Sequence, residues 1–332
     1  MRKVLLGKTN CEVSAISLGT WAFGGESMSG KFSVGWGGQT EKNSEKTLIR
    51  AWEVGINHWD TADVYGDGKS ESIIGNSWNK IPRNEIFIAT KFGWDRGPYK
   101  EWYNPKHMRN NFERSLKNLK TDYVDLLYLH HCSFGKNDEL LDDAILTIRQ
   151  FQSEGKVRFI GLSDWSSKKI LKYIDACNPD VVQPYYNVMD NQYITSGLKK
   201  YVDDNNIGAC FFSPIKHGLL TGKYNKPTTF KNGDHRSRIK EFKSIEILQR
   251  LKENKLLLEK HFKSEKHPVL FGLINSLLYA SENSCVLLGQ RNENQVEVAS
   301  SLGGQLSREE VHWIKQLYNC LLYTSDAADD SQ

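Results

Sequence analysis

Gly55-Ile56-Asn57-His58-Trp59-Asp60-Thr61-Ala62-Asp63-Val64-Tyr65-Gly66 decides how this chain is read. Residues 56–59 form a run of the right length for a buried strand, followed at once by an acid and then by a phenol. Two further runs share that plan. Ile86-Phe87-Ile88-Ala89-Thr90 leads into Lys91, and Val124-Asp125-Leu126-Leu127-Tyr128-Leu129 leads into His130. A helix-like segment follows each. Parallel strands of an α/β protein all end on one face, so Asp60, Tyr65, Lys91 and His130 are delivered to one mouth. They supply a proton donor (Tyr65), a cation to tune it (Lys91), a counter-charge to hold the cation (Asp60) and an imidazole (His130).

Outward from that stretch the alternation continues. Strand ends are expected near Thr20, Asp60, Lys91, His130, Ser163, Gln183, Phe212 and Gly289, with helices over 42–54, 70–79, 105–119, 138–153, 167–176, 197–204, 246–262 and 294–302. In 138–153, Leu140, Leu141, Ala144, Ile145, Ile148 and Phe151 recur at three- and four-residue steps, and Gly155 stops the helix. Eight βα units close economically into a (β/α)8 TIM barrel, which leaves no sheet edge exposed. The first fourteen residues, turning at Gly7-Lys8-Thr9-Asn10, read as a hairpin. Ser307-Arg308-Glu309-Glu310 opens a final helix with a capping box. The interval from Phe212 to Gly289 far exceeds a βα spacing and is expected to hold a long loop over the site, near 222–243, and a helix.

Bulk properties exclude several classes. The 332 residues suit one large barrel, 39% hydrophobic content supports a large core, and a net charge of +4 is too mild to argue for nucleic acid. No apolar run reaches the ~20 residues of a membrane helix. The six scattered cysteines form no C-x-x-C pair and read as reduced thiols of a cytoplasmic protein. Residues 320–332 resemble a translated sequencing adapter and are set aside, leaving 1–319 as the single domain.

Asp60-Thr61-Ala62-Asp63-Val64-Tyr65-Gly66, with Gly68 and Ser70-Glu71 behind it, resembles the signature of the aldo-keto reductases. Thr90-Lys91-Phe92-Gly93 and residues 122–130 are similar to that family's next two motifs. Gly35-Trp36-Gly37-Gly38 and the long loop after the first strand look most like the bacterial-type branch acting on small carbonyls and sugar-like substrates. The resemblance implies a barrel plugged by the N-terminal hairpin, with an extended dinucleotide across its mouth. It implies NADPH-dependent reduction of an aldehyde or ketone: Tyr65 is the general acid, Lys91 and Asp60 tune it, and His130 directs the carbonyl. NADH remains possible as the cofactor.

On the cofactor side the resemblance assigns Ser163, Asp164 and Gln183 to the nicotinamide carboxamide and Phe212 to the ring. It assigns Ser213, Leu219, Gly222 and Lys223 to the pyrophosphate, and Gly289, Gln290, Arg291 and Gln295 to the adenosine phosphate. Two positions depart from the family: Asp164 where Asn is usual, and Val298-Ala299 where Glu-Asn is common. An ionised carboxylate accepts hydrogen bonds but cannot donate them. Trp21, Phe23, Trp36, Trp94, Trp102 and His131 are the expected substrate-pocket residues. The protein is expected as a monomer or homo-oligomer with a small carbonyl substrate, and without nucleic acid or membrane partners.

Rival motifs are weaker. Gly25-Glu26-Ser27-Met28-Ser29-Gly30-Lys31 has P-loop spacing, but Phe32 stands where a hydroxyl should coordinate magnesium. His130-His131-Cys132 lie on alternate faces of a strand and do not suit a shared metal, so none is expected. A carboxylate-pair glycosidase lacks a partner for Asp164. The alternative from another class is a regulatory subunit of the same family that binds NADPH and turns over little.

Overall fold

The computed structural model describes residues 1–319. Its strands are β1 (Lys3–Leu5), β2 (Glu12–Ser14), β3 (Ile16–Gly19), β4 (Met28–Ser29), β5 (Phe32–Ser33), β6 (His58–Asp60), β7 (Phe87–Phe92), β8 (Val124–Leu129), β9 (Val157–Asp164), β10 (Val181–Pro184), β11 (Gly208–Phe211) and β12 (Ser284–Gly289). Eight of them close a barrel in the order β3-β6-β7-β8-β9-β10-β11-β12, with every pair parallel. The expected (β/α)8 barrel is therefore what the chain builds, and the strands end where the sequence places them. β1 and β2 pair antiparallel, and Val4, Leu6 and Val13 are buried. Lys8 N donates to Asn206 O at 2.6 Å, just before β11 begins, so the hairpin closes the N-terminal end and leaves the other end for chemistry.

The helices start at recognisable caps. Thr40, Asn104, Ser166 and Ser244 each accept a hydrogen bond from the first turn of the helix they precede (Glu41–Glu53, Pro105–Leu119, Ser167–Cys177 and Ile245–His261). Ser307 and Glu310 bond reciprocally at the start of Arg308–Asn319, as the capping box predicts. The expected helix 138–153 begins later, at Leu141. Asp138 stands at φ 59°, and its carboxylate takes Lys172 Nζ and Tyr173 Oη at 2.8 and 2.6 Å, so it cannot continue a helix. Pro268–Leu278 is a helix the hydrophobic pattern does not announce. It is apolar nearly all round, which erases the 3.6-residue stripe. The P-loop-like stretch forms the β4–β5 ribbon, turning at Gly30 with φ 55°, and no helix follows it.

Candidate active site

Asp60 ends β6, Lys91 lies on β7 and His130 follows β8, while Tyr65 sits on the turn after β6. That turn is held to β7 by Thr61 N donating to Ala89 O at 2.9 Å and Asp63 N to Lys91 O at 3.2 Å. It is also pressed against the loop after β3. A Cβ on Gly66 would stand 2.4 Å from Gly24 O, and one on Gly24 2.5 Å from Gly66 N. Both positions demand glycine, and together they seat the neighbouring phenol.

The side chains of Asp60 and Lys91 are each only 1% exposed and form an ion pair. The ammonium also donates to Thr61 O at 2.7 Å and to Tyr65 Oη at 3.5 Å. Its three N–H groups thus have three acceptors, which keeps a buried charge tolerable. The second Asp60 oxygen accepts from Gln183 Nε2 at 2.8 Å. Burial opposes the Lys91 charge, but Asp60 and Tyr65 outweigh it and raise its pKa. A cation beside a phenol would by itself depress the pKa of Tyr65. Burial instead raises it; the Lys91 ammonium pulls it down, and Asp60 offsets part of that pull. Tyr65 Oη accepts from Lys91, so its own proton is free to point elsewhere. The ring of His130 lies 6.1 Å from that of Tyr65, edge to face. Burial, then Lys91 and His131, push the His130 pKa well down, so it is a neutral imidazole, and its Nδ1 has no partner among the described residues.

A second acidic layer lies behind the tetrad. Asp63 and Glu71 are both buried; desolvation and the Glu71 charge push Asp63 up to about 8, and Glu71 is also raised, chiefly by burial. Sequence reasoning did not find this layer. Nor did it find His58, Cys210 and Cys285, whose ligand atoms lie within 4.8 Å of one another in the barrel core. This is a donor set a soft cation could use. Ser17 Oγ is 2.8 Å from His58 Nδ1 within the same layer.

The rim of β9–β12 is less uniform. Ser163 Oγ donates to Gln183 O at 3.0 Å, and Gln183 is tied to Asp60. Phe212 packs edge-on to Trp165 and Tyr185 at 4.9 and 5.6 Å, extending the expected single ring to an aromatic shelf. Ser213 adopts φ 56°, and Lys223 is exposed with no carboxylate partner among the described residues. A Cβ at Gly289 would meet nothing within 4 Å. Arg291 donates to Gly37 O at 2.6 Å and to Gln39 Oε1 at 3.2 Å, and Gln295 Oε1 accepts from Arg291 N at 2.8 Å.

Four assignments turn inward. Both Asp164 oxygens accept backbone N–H groups, from Cys132 and Ser166, at 2.8 Å each. Gln290 is fully buried and donates to the carbonyls of Ser17 and Leu288. Leu219 packs in the core, and a Cβ at Gly222 would stand 2.6 Å from Leu251 O, so that glycine serves the packing of Ile245–His261.

The pocket aromatics divide likewise. Trp21 stacks on Tyr65 at 5.9 Å and meets Trp36, His217 and His235 at 5.8, 5.8 and 5.0 Å. Trp94 and Trp102 form a second wall beside His130 and His131. Phe23 does not line the pocket: the turn Trp21–Gly24 drives its ring into the core, where it is 1% exposed. His131 is a brace rather than a substrate contact. Its Nε2 lies 2.8 Å from Gly93 O, its Nδ1 accepts from Ser133 N at 3.2 Å, and burial lowers its pKa to about 4. His217 and His235 were missed because they lie in irregular chain after β11, where no periodicity marks them.

Residues 15–319 match the model of the Aldo/keto reductase family. The chain belongs to that family. Among curated relatives, the aldo-keto reductase YhdN of Bacillus subtilis is 30% identical over 92% of this chain and 89% of its own length. The NADH-specific methylglyoxal reductase of Escherichia coli is 31% identical over 67% of this chain and 70% of its own. The solved glycerol dehydrogenase AKR11B4 of Gluconobacter oxydans superposes with a TM-score of 0.78 at 26% identity, covering 95% of this chain and 94% of that one. This aldo-keto reductase is accordingly an oxidoreductase that acts on carbonyls with a nicotinamide cofactor.

Proposed function

We propose that this protein reduces an aldehyde or ketone to the alcohol with NADPH and that Tyr65 delivers the proton. The observation that carries this reading is the buried Asp60–Lys91 pair with Lys91 Nζ 3.5 Å from Tyr65 Oη. When bound, the cofactor supplies the hydride. The protein orients the carbonyl, moves the proton and stabilises charge. The Lys91 ammonium holds the phenol oxygen, the phenol proton passes to the carbonyl oxygen, and the resulting phenolate is stabilised by the same ammonium. A neutral His130 faces this centre without adding a positive charge that would draw the substrate oxygen away from Tyr65.

The residues present fit a dinucleotide. Lys223 and Arg291 have no carboxylate partner among the described residues and can take phosphate oxygens, the aromatic shelf at Phe212 suits the nicotinamide ring, and the open space at Gly289 leaves room along the rim. Ser163 and Gln183 can hold the carboxamide without Asp164. Arg291 supports a preference for NADPH, because a guanidinium can pair with a 2′-phosphate that NADH lacks. Following reduced-nicotinamide absorbance with NADPH and NADH against short aldehydes tests the reading. Faster oxidation of NADPH that depends on the aldehyde is expected; aldehyde-independent binding without turnover would overturn it.

A further inference from the structure

The barrel interior carries a polar layer that carbonyl reduction does not use. β11, β12, β3 and β6 are neighbours in the closed sheet, and they contribute Cys210, Cys285, Ser17 and His58 in turn. All four residues are 0% exposed. Layers of such a barrel are ordinarily filled by branched apolar side chains. His58 and Asp60 stand two residues apart on β6 and so point to the same face, which sets this layer directly below the Asp60–Lys91 pair. The two cysteines are paired across the β11–β12 ladder.

The donors are spaced as in a coordination shell. Cys285 Sγ lies 3.5 Å from His58 Nδ1, and Ser17 Oγ lies 2.8 Å from the same nitrogen. Cys210 Sγ completes a set of sulfur and nitrogen atoms that all lie within 4.8 Å of one another. Around one tetrahedral ion, a sulfur at about 2.3 Å and a nitrogen at about 2.0–2.1 Å stand about 3.5 Å apart, and two sulfurs about 3.8 Å. The Cys285–His58 separation matches that edge. The histidine is a second sign. Its Nε2 is buried with no partner among the described residues, and Phe87 packs edge-on to its ring at 5.2 Å. An apolar side chain would fill the same place without an unsatisfied polar atom, so an imidazole there is costly unless Nδ1 has a ligand to hold.

We propose that His58, Cys210 and Cys285, with the Ser17 hydroxyl as fourth donor, form a structural zinc site in the barrel core. Two sulfurs and an imidazole select zinc over the oxygen-seeking magnesium and calcium. Zinc takes both cysteines as thiolates and releases their two protons, and the resulting complex carries no net charge, which suits a dry interior. A singly charged copper ion on the same two thiolates would leave a negative charge buried there. Four protein donors leave no position open for substrate, so the ion ties four strands together beneath Lys91 and takes no part in the carbonyl chemistry. The hairpin closes the barrel below this layer and the Asp60–Lys91 pair closes it above, so the site fills as the chain folds.

The test is the metal content of the full chain produced in zinc-supplemented medium and desalted in the presence of a weak chelator, beside Cys210→Ala, Cys285→Ala and His58→Phe. About one zinc per chain is expected in the wild type, and about tenfold less in each variant. Protein produced with cobalt in place of zinc should show thiolate-to-cobalt charge-transfer absorbance and the strong visible bands of a tetrahedral ion. Wild-type protein without stoichiometric zinc, a zinc content unmoved in all three variants, or cobalt held without thiolate bands overturns the inference. The wild-type content and the cobalt spectrum decide the matter even where a variant fails to fold. None of these readouts depends on turnover, so the reductase reading stands or falls separately.

Discussion

The strand ends β6–β8 and the strand ends β9–β12 sit on the same rim and are organised differently. At β6–β8 the polar groups answer one another: Lys91 to Asp60, Asp60 to Gln183, the phenol to Lys91. At β9–β12 several polar groups answer only the scaffold: Asp164 to two backbone amides, Gln290 to two carbonyls. Buried charge that does chemistry must be paired side chain to side chain, and its members therefore appear together at strand ends. Lys223 and Arg291, which the proposed reading keeps for an external phosphate, have no carboxylate partner among the described residues, so no ion pair inside the protein advertises them.

This contrast can be broken at either end. Tyr65→Phe removes the proposed proton donor and is expected to lower kcat by about 10²–10⁴-fold, measured at saturating NADPH; a loss under tenfold would mean another group carries the proton. Lys91→Met leaves Asp60 buried without its counter-charge, and chemical denaturation should show a stability loss of about 3–5 kcal/mol. On the other side of the rim, Arg291→Ala should weaken NADPH by about tenfold, the equivalent of one charge-assisted hydrogen bond, with NADH nearly unaffected in a fluorescence titration. An equal loss for both cofactors would make Arg291 a loop brace through Gly37 and Gln39. The smallest effect is expected at Asp164→Asn. Both backbone amides lose an ionic acceptor and one is left facing a side-chain NH2 donor, and denaturation should report a loss of about 1 kcal/mol with the NADPH dissociation constant unmoved.

The same contrast explains what could be read from the chain. Asp60, Lys91 and His130 were legible because each directly follows or ends a run with strand length, and Tyr65 because a short glycine-bounded turn ties it to that run. The barrel followed from eight such runs. Strand alternation decides side-chain direction but not what waits there: His131 meets the Gly93 carbonyl, and Gln290 folds back over β3 and β12. Phe23 could not be placed because a tight helical turn, not a strand, sets its direction. His217 and Trp36 come from two loops far apart in sequence and meet only through the tertiary fold, so no local pattern joins them. The Tyr65 pKa needed the burial as well as the neighbours: the cation alone argued for a lower value, and desolvation reverses the sign.

The most direct test of the central claim is the pH profile of kcat for aldehyde reduction at saturating NADPH, from pH 6 to 11. Reduction needs the phenol protonated, and the Tyr65 pKa is raised above its ordinary value of 10.0. Activity should therefore stay level through neutrality and fall only as the pH climbs past about 10. A profile that instead drops between pH 6 and 8 would show an imidazole giving the proton and would contradict the assignment of Tyr65.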